Sequence, residues 1–143
     1  KQAEMYPELI DKIRDYGHTI ANHTYSHING LHVDSNDYYA DIERANVILR
    51  TSIFRPPWGS LTLREYMHLK KQYKIVLWNV TSDDCKNKVD IDGVVQRMCR
   101  QMKGGDVILF HFVERHSENT KAILPKFIDV ALRMGYYFQK IEV

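Results

Sequence analysis

The sequence predicts an α/β fold, with a largely parallel sheet or barrel wrapped in helices. Two observations carry that expectation. Segments with helical apolar periodicity alternate with short apolar runs along the whole chain, and glycines close several of the helices. The marked polar residues also fall just after the apolar runs: His23 and His27 after the first, Arg55 after the second, Asp84 after the third, and His111 at the end of the fourth. In a parallel barrel those positions share one face, so these side chains are expected to converge on one mouth.

Each element has its own reason. Residues 6–16 read as a helix, with Pro7 early, Leu9, Ile10, Ile13 and Tyr16 as an apolar stripe, and Gly17 as the cap. His18–Ala21 is strand-like and leads into the His23–His27 turn. Asp34-Ser35-Asn36 offers an N-cap for a helix over 36–50, with Tyr39, Ile42, Ala45, Ile48 and Leu49 on one face. Ile53-Phe54 is a short buried strand cut off by Arg55-Pro56-Pro57-Trp58-Gly59. Leu61–Tyr73 is helical, Lys74–Val80 is the clearest strand, and Thr81–Asp90 is a polar loop. A helix over Ile91–Met102 breaks at Gly104-Gly105. Asp106–His111 is an apolar strand ending on a histidine, Asn119–Met134 is the last helix with Gly135 as its cap, and Tyr136–Val143 is a final strand.

A chain of 143 residues suits one domain, spanning 1–143, with one sizeable core. Its hydrophobic content of 44% includes no run long enough for a membrane span. The formal charge of +2, with no basic cluster interleaved with aromatics, argues against a nucleic-acid partner. Cys85 and Cys99 have no metal-finger spacing, and they either pair in an exported chain or remain two thiols.

The stretch Asn22-His23-Thr24-Tyr25-Ser26-His27 is where chemistry is expected first. Histidines four apart fall on one side of a helical turn, where their ring nitrogens can meet on one ion. Thr24 and Ser26 can hold a tight turn through their hydroxyls.

Four stretches together resemble the polysaccharide deacetylase family, the NodB-homology domain of carbohydrate esterase family 4. Gly17–His27 is similar to its metal-histidine motif, and Phe54–Gly59 to its arginine-proline motif. Leu77–Asp84 resembles its aspartate-tryptophan motif, and Gly105–His111 its catalytic-histidine motif. The resemblance implies a distorted (β/α) barrel and metal-dependent removal of acetyl groups from a carbohydrate polymer or oligomer. N-acetylglucosamine-containing polymers of the peptidoglycan or chitin kind are the expected substrates, and an exported, cell-envelope location is implied.

The same resemblance assigns roles. His23 and His27 hold a divalent ion, zinc by default with cobalt or nickel compatible. His111 is the general acid that protonates the departing amine, and Asp84 holds and polarises it. The backbone N–H of Trp58 helps hold the tetrahedral oxyanion, its indole walls the sugar groove, Leu109 lines the acetyl pocket, and Tyr25 contacts substrate. Arg55 grips the catalytic-base aspartate.

Departures matter as well. The family's opening Asp-Asp pair, which supplies the base and the third metal ligand, is absent, so its opening strands are expected to lie outside this sequence. The alternative is a non-catalytic sugar-binding relative that has lost the pair. A third reading is a hydrolase of the same superfold acting on a non-sugar amide. Thr81 stands for the usual first Asp of the third motif, Cys85 for a Trp, and Phe112 for a common Asp. His18 is expected to be a buried structural residue, His32, His68 and His116 surface residues, and Asp83 solvated.

Overall fold

The computed structural model describes residues 1–141. They form two compact units, Lys1–Leu77 with Lys140 and Ile141, and Trp78–Gln139.

The first unit contains α1 (Gln2–Met5), α2 (Pro7–Asp15), α3 (Ser35–Leu49), β1 (Ile53–Phe54), α4 (Leu63–Leu69) and β2 (Lys74–Ile75). Pro7 opens α2, and Gly17 follows it in the left-handed region at φ 77°. The predicted stripe on α2 forms, but no residue of this helix is buried, and Leu9, Ile13 and Tyr16 stay exposed. Asp34 caps α3 by accepting from the Asn36 N–H at 2.8 Å. The inward face of α3 centres on Tyr38, Ile42 and Ala45, so Tyr38 rather than Tyr39 takes the core position. Tyr38, Ile42, Phe54, Leu69 and Tyr73 make this unit's buried cluster.

The helix α4 is shorter than the predicted 61–73 because Thr62 and Glu65 build a capping box. The Thr62 hydroxyl accepts from the Glu65 N–H at 3.2 Å, and Glu65 Oε2 accepts from the Thr62 N–H at 2.8 Å. Its other end stops at Leu69, whose carbonyl accepts from both Gln72 and Tyr73 N–H groups. Gly30 packs where a Cβ would lie 2.9 Å from Glu65 Oε2 and 3.0 Å from the Tyr38 ring, so only glycine fits unstrained. The β1 and β2 strands pair in parallel, Ile53 opposite Lys74 and Phe54 opposite Ile75. The predicted strand 18–21 is not formed. His18, Thr19 and Ala21 are exposed, and only Asn22, fully buried, makes a single parallel bridge to Phe54.

The second unit contains β3 (Val80–Thr81), α5 (Ile91–Gln101), β4 (Ile108–Leu109) and α6 (Ser117–Arg133). β3 and β4 pair in parallel, Val80 opposite Ile108 and Thr81 opposite Leu109. Its core is Val80, Val95, Met98, Met102, Ile123, Phe127 and Ala131. Asp90 caps α5 by accepting from the Gly93 N–H at 3.1 Å, and Gly105 and Gly135 turn the chain at φ 89° and 88°.

Several expectations change. The predicted strand 74–80 divides between the two ladders, because Asn79 Oδ1 accepts from the Val107 N–H and ends the first run. The strand expected over 106–111 narrows to Ile108–Leu109. No strand occurs over 136–141, and Glu142 and Val143 of that predicted strand lie outside the described residues. Two hydrophobic clusters replace the single expected core. The α/β alternation with parallel pairing is met, and the sheet among the described residues consists of these two ladders. None of their helices is long and apolar enough to cross a membrane.

Candidate active site

The structure gathers the predicted residues into two groups, one in each unit. In the first, residues 23–27 are held by two buried or half-buried side chains. Asn22 Nδ2 donates to the Ile42 carbonyl at 2.9 Å, and Asn22 Oδ1 accepts from the Thr24 N–H at 2.9 Å. Asp41 Oδ2 accepts from the N–H groups of Tyr25 and Ser26 at 2.8 and 2.9 Å. The expected helical turn is absent. Thr24 and His27 instead take left-handed backbone, φ 64° and 58°, and this bend rather than helical spacing brings the histidines together.

The His23 and His27 rings lie 4.9 Å apart between centroids with planes at 71°. His23 Nδ1 is 2.6 Å from the Arg55 carbonyl, which can only accept. The ring therefore carries its hydrogen on Nδ1 and keeps its lone pair on Nε2, the form suited to a metal ligand. Two neighbouring imidazoles fit a divalent ion of the zinc class as two of its ligands. No third His, Cys, Asp or Glu donor joins them among the described residues.

Trp58 follows Pro56-Pro57 with φ 62°, and its ring lies 5.5 Å from that of His27 between centroids in a T-shaped contact while Trp58 remains 67% exposed. Arg55 Nε and Nη2 donate to the carbonyls of Val76 and Leu77 at 3.3 and 3.5 Å. Burial pulls its pKa below the usual arginine value, and no carboxylate pairs with it among the described residues. Tyr25 lies under the Arg44 guanidinium, 3.6 Å from ring centre to Cζ, and its hydroxyl donates to Glu4.

In the second unit, Asp84 is fully buried, with its carboxylate satisfied on both oxygens. Oδ1 accepts from His111 Nδ1 at 2.8 Å, while Oδ2 accepts from the His111 backbone N–H at 2.9 Å and from the Thr120 hydroxyl at 2.8 Å. Burial pushes the carboxyl up, but the hydrogen bonds from His111, Thr120 and Ser82 outweigh it and hold the pKa below the ordinary value. An ionised Asp84 fixes the Nδ1–H form of His111, so Nε2 is the ring atom left for proton exchange. His111 itself is half-buried. Leu109, beside it in β4, is 8% exposed.

Sequence reading missed the supports of this pair. Thr120 and Asn119 open α6, and Asn119 Nδ2 donates to the carbonyls of Asp84 and Lys86 at 3.0 and 2.9 Å. Arg97 joins the Thr81 carbonyl to Asp83 Oδ2, at 2.9 and 3.2 Å, so Asp83 is ion-paired rather than merely solvated. His116 is buried, contrary to expectation, and His18 is exposed. Cys85 and Cys99 are both free thiols. One donor atom each from Asp84, Cys85 and His111 lies within 4.8 Å of the others.

Comparison with known proteins places these residues in context. The family model described as polysaccharide deacetylase matches residues 1–78. A peptidoglycan-N-acetylglucosamine deacetylase of Bacillus cereus is 31% identical over 118 residues, covering 78% of this chain and 42% of that protein. A crystal structure of a peptidoglycan N-acetylglucosamine deacetylase in complex with an N-hydroxybenzamide is similar at TM-score 0.90 and 28% identity, over 97% of this chain and 68% of that one. A family 4 carbohydrate esterase from Streptomyces lividans, in complex with acetate, is similar at TM-score 0.80 and 26% identity, over 93% and 70%. The chain thus spans less than half the length of the Bacillus cereus relative.

Proposed function

This chain belongs to the polysaccharide deacetylase family, and on that premise we propose that it hydrolyses acetamido groups of an N-acetylglucosamine-containing cell-wall polymer, peptidoglycan first. The observation that carries the reading is the buried Asp84 bonded to His111 Nδ1. In the reaction, water adds to the acetyl carbonyl, the C–N bond breaks, and the products are acetate and a free sugar amine. The amine is a poor leaving group until it gains a proton. His111, protonated on Nε2 and held by an ionised Asp84, is suited to give that proton, a contribution of about 10²–10⁴ in rate.

A divalent ion on His23 and His27, zinc by default and cobalt or nickel compatible, supplies Lewis acidity and an acidified water. His23 contributes a fixed tautomer, because the Arg55 carbonyl holds its Nδ1–H. The exposed indole of Trp58 offers an apolar face on which a sugar ring can stack, and the Trp58 backbone N–H is assigned to the oxyanion. Tyr25 is assigned to substrate contact and Leu109 to the acetyl methyl. Arg55 is assigned to an acidic partner, and no residue of this sequence is assigned as the general base. The single domain 1–143 and an exported, cell-envelope location belong to the same proposal. Among relatives, the substrates named are peptidoglycan sugars.

A second reading is favoured by one observation: no carboxylate pairs with Arg55 among the described residues. On that reading the chain binds carbohydrate without cleaving it. Acetate release from peptidoglycan and from chitin oligomers, with zinc present, separates the two. Release that is abolished in His111→Ala supports hydrolysis. Binding of the oligomers with no acetate from any of them overturns it in favour of the binding protein.

A further inference from the structure

The proposed chemistry uses Asp84 and His111 but leaves Cys85 without a part. Its thiol nevertheless lies with them: one donor atom from each of the three falls within 4.8 Å of the others. Sulfur, imidazole nitrogen and carboxylate oxygen make a donor set of the kind that takes zinc. Bonds of about 2.0–2.3 Å in a tetrahedron put neighbouring ligands about 3.5 Å apart. Asp84 Oδ1 and His111 Nδ1, 2.8 Å apart, therefore open by less than an ångström, and Cys85 Sγ closes by about 1.3 Å at most, within reach of a side-chain rotation at Cys85, which is only half-buried.

We propose that Asp84, Cys85 and His111 form a second cation site, for a thiophilic divalent ion of the zinc class, whose occupation blocks the proton donor. The ion takes the place of the Cys85 thiol proton, which leaves to solvent. The thiolate and the Asp84 carboxylate together balance its two positive charges. His111 gives the ion the lone pair of Nδ1, the nitrogen that faces Asp84, and the Nδ1 proton passes through solvent to Nε2, so the ring no longer becomes the imidazolium that delivers a proton. Burial and the Asp84 carboxylate raise the Cys85 pKa, so without an ion the thiol keeps its proton and the Asp84–His111 bond stays intact. The site is distinct from the His23–His27 pair in its donors, since it contains sulfur. Its inhibitory consequence rests on His111 being the proton donor, while binding of the ion does not.

The test separates those two parts. Cadmium titrated into the metal-free protein gives a thiolate-to-metal charge-transfer absorption in the ultraviolet. One equivalent is expected to develop it in the starting protein, in Cys99→Ser and in His23→Ala, and none in Cys85→Ser. Absence of the band in the starting protein, or its loss in Cys99→Ser with persistence in Cys85→Ser, overturns the site. For inhibition, acetate release is followed as zinc rises beyond the amount that supports turnover, each protein being scaled to its own maximum. Half-inhibition in Cys85→Ser is expected to need about 10–100-fold more zinc. A band with an unchanged inhibition curve overturns the block at His111. If no protein releases acetate, the deacetylase reading fails, and the absorption alone decides the cation site.

Discussion

The two histidine groups are built in opposite ways. Around Asp84 every polar demand is met from within the second unit: both carboxylate oxygens accept hydrogen bonds, and the Asp84 carbonyl accepts from Asn119. Around His23 and His27, strain and unmet polar atoms accumulate. Thr24, His27 and Trp58 all sit in left-handed backbone, and among the described residues the Thr24 hydroxyl is buried without a partner and Arg55 reaches only carbonyls, at 3.3 and 3.5 Å. The proton donor proposed at His111 needs a rigid neighbour to fix its tautomer, which one buried carboxylate supplies. The metal ligands proposed at His23 and His27 need two rings turned toward each other, and here they are carried on a stretch with left-handed backbone at Thr24 and His27.

The sharpest break between the groups comes from removing each histidine. His111→Ala is expected to lower turnover by about 10²–10⁴ while zinc affinity at the thiol-free His23–His27 site, read by calorimetry with Cys85→Ser in both proteins, stays unchanged. His23→Ala is expected to lose the zinc itself at the thiol-free site, and activity with it. A His111→Ala protein that keeps full turnover would end the assignment of the acid. Equal zinc affinity in His23→Ala would end the assignment of the ligand.

Asp84→Asn probes the self-contained group. Replacing the carboxylate leaves two N–H donors and a hydroxyl facing a weaker acceptor, at a cost of about 3 kcal/mol in stability. The pH dependence has a definite sign. The folded carboxyl lies below its ordinary value, so its stabilising effect is fully present above the unfolded pKa and disappears as pH falls through the folded one. Urea midpoints followed into acid are therefore expected to fall less steeply in Asp84→Asn. Parallel acid limbs for the two proteins would show that Asp84 is not held ionised by its partners.

This contrast also marks what could be read from the sequence. His23, His27, Asp84 and His111 were legible because residue type and position after an apolar run both singled them out, and each of them does enter one of the two groups. The supports were not. Thr120 and Asn119 lie 36 and 35 residues from Asp84, and nothing local in Asn119-Thr120 announces a contact made only when α6 packs. The bend at 23–27 was misread for a related reason: H-x-x-x-H spacing suggests a helical turn, whereas Asn22 and Asp41 bind its N–H groups and hold a different backbone. The capped starts of α3, α4 and α5 lie within two residues of those the sequence predicts, while strands two residues long are set by tertiary pairing that no period-2 pattern encodes.

Thr24→Gly tests whether the strain in the first group has a use. A β-branched residue at φ 64° costs about 1–3 kcal/mol, and the buried hydroxyl adds a desolvation penalty. Glycine removes both but gives back about 0.5–1 kcal/mol through the freedom of the unfolded chain. The net expectation is a gain of about 1 kcal/mol, seen as a higher urea midpoint at unchanged slope. If the bend is what turns the two rings toward each other, the same change loosens residues 23–27 and zinc binding weakens as stability rises. A more stable protein with undiminished zinc affinity would mean that Asn22 and Asp41 position the rings, and that the left-handed residue is tolerated rather than used.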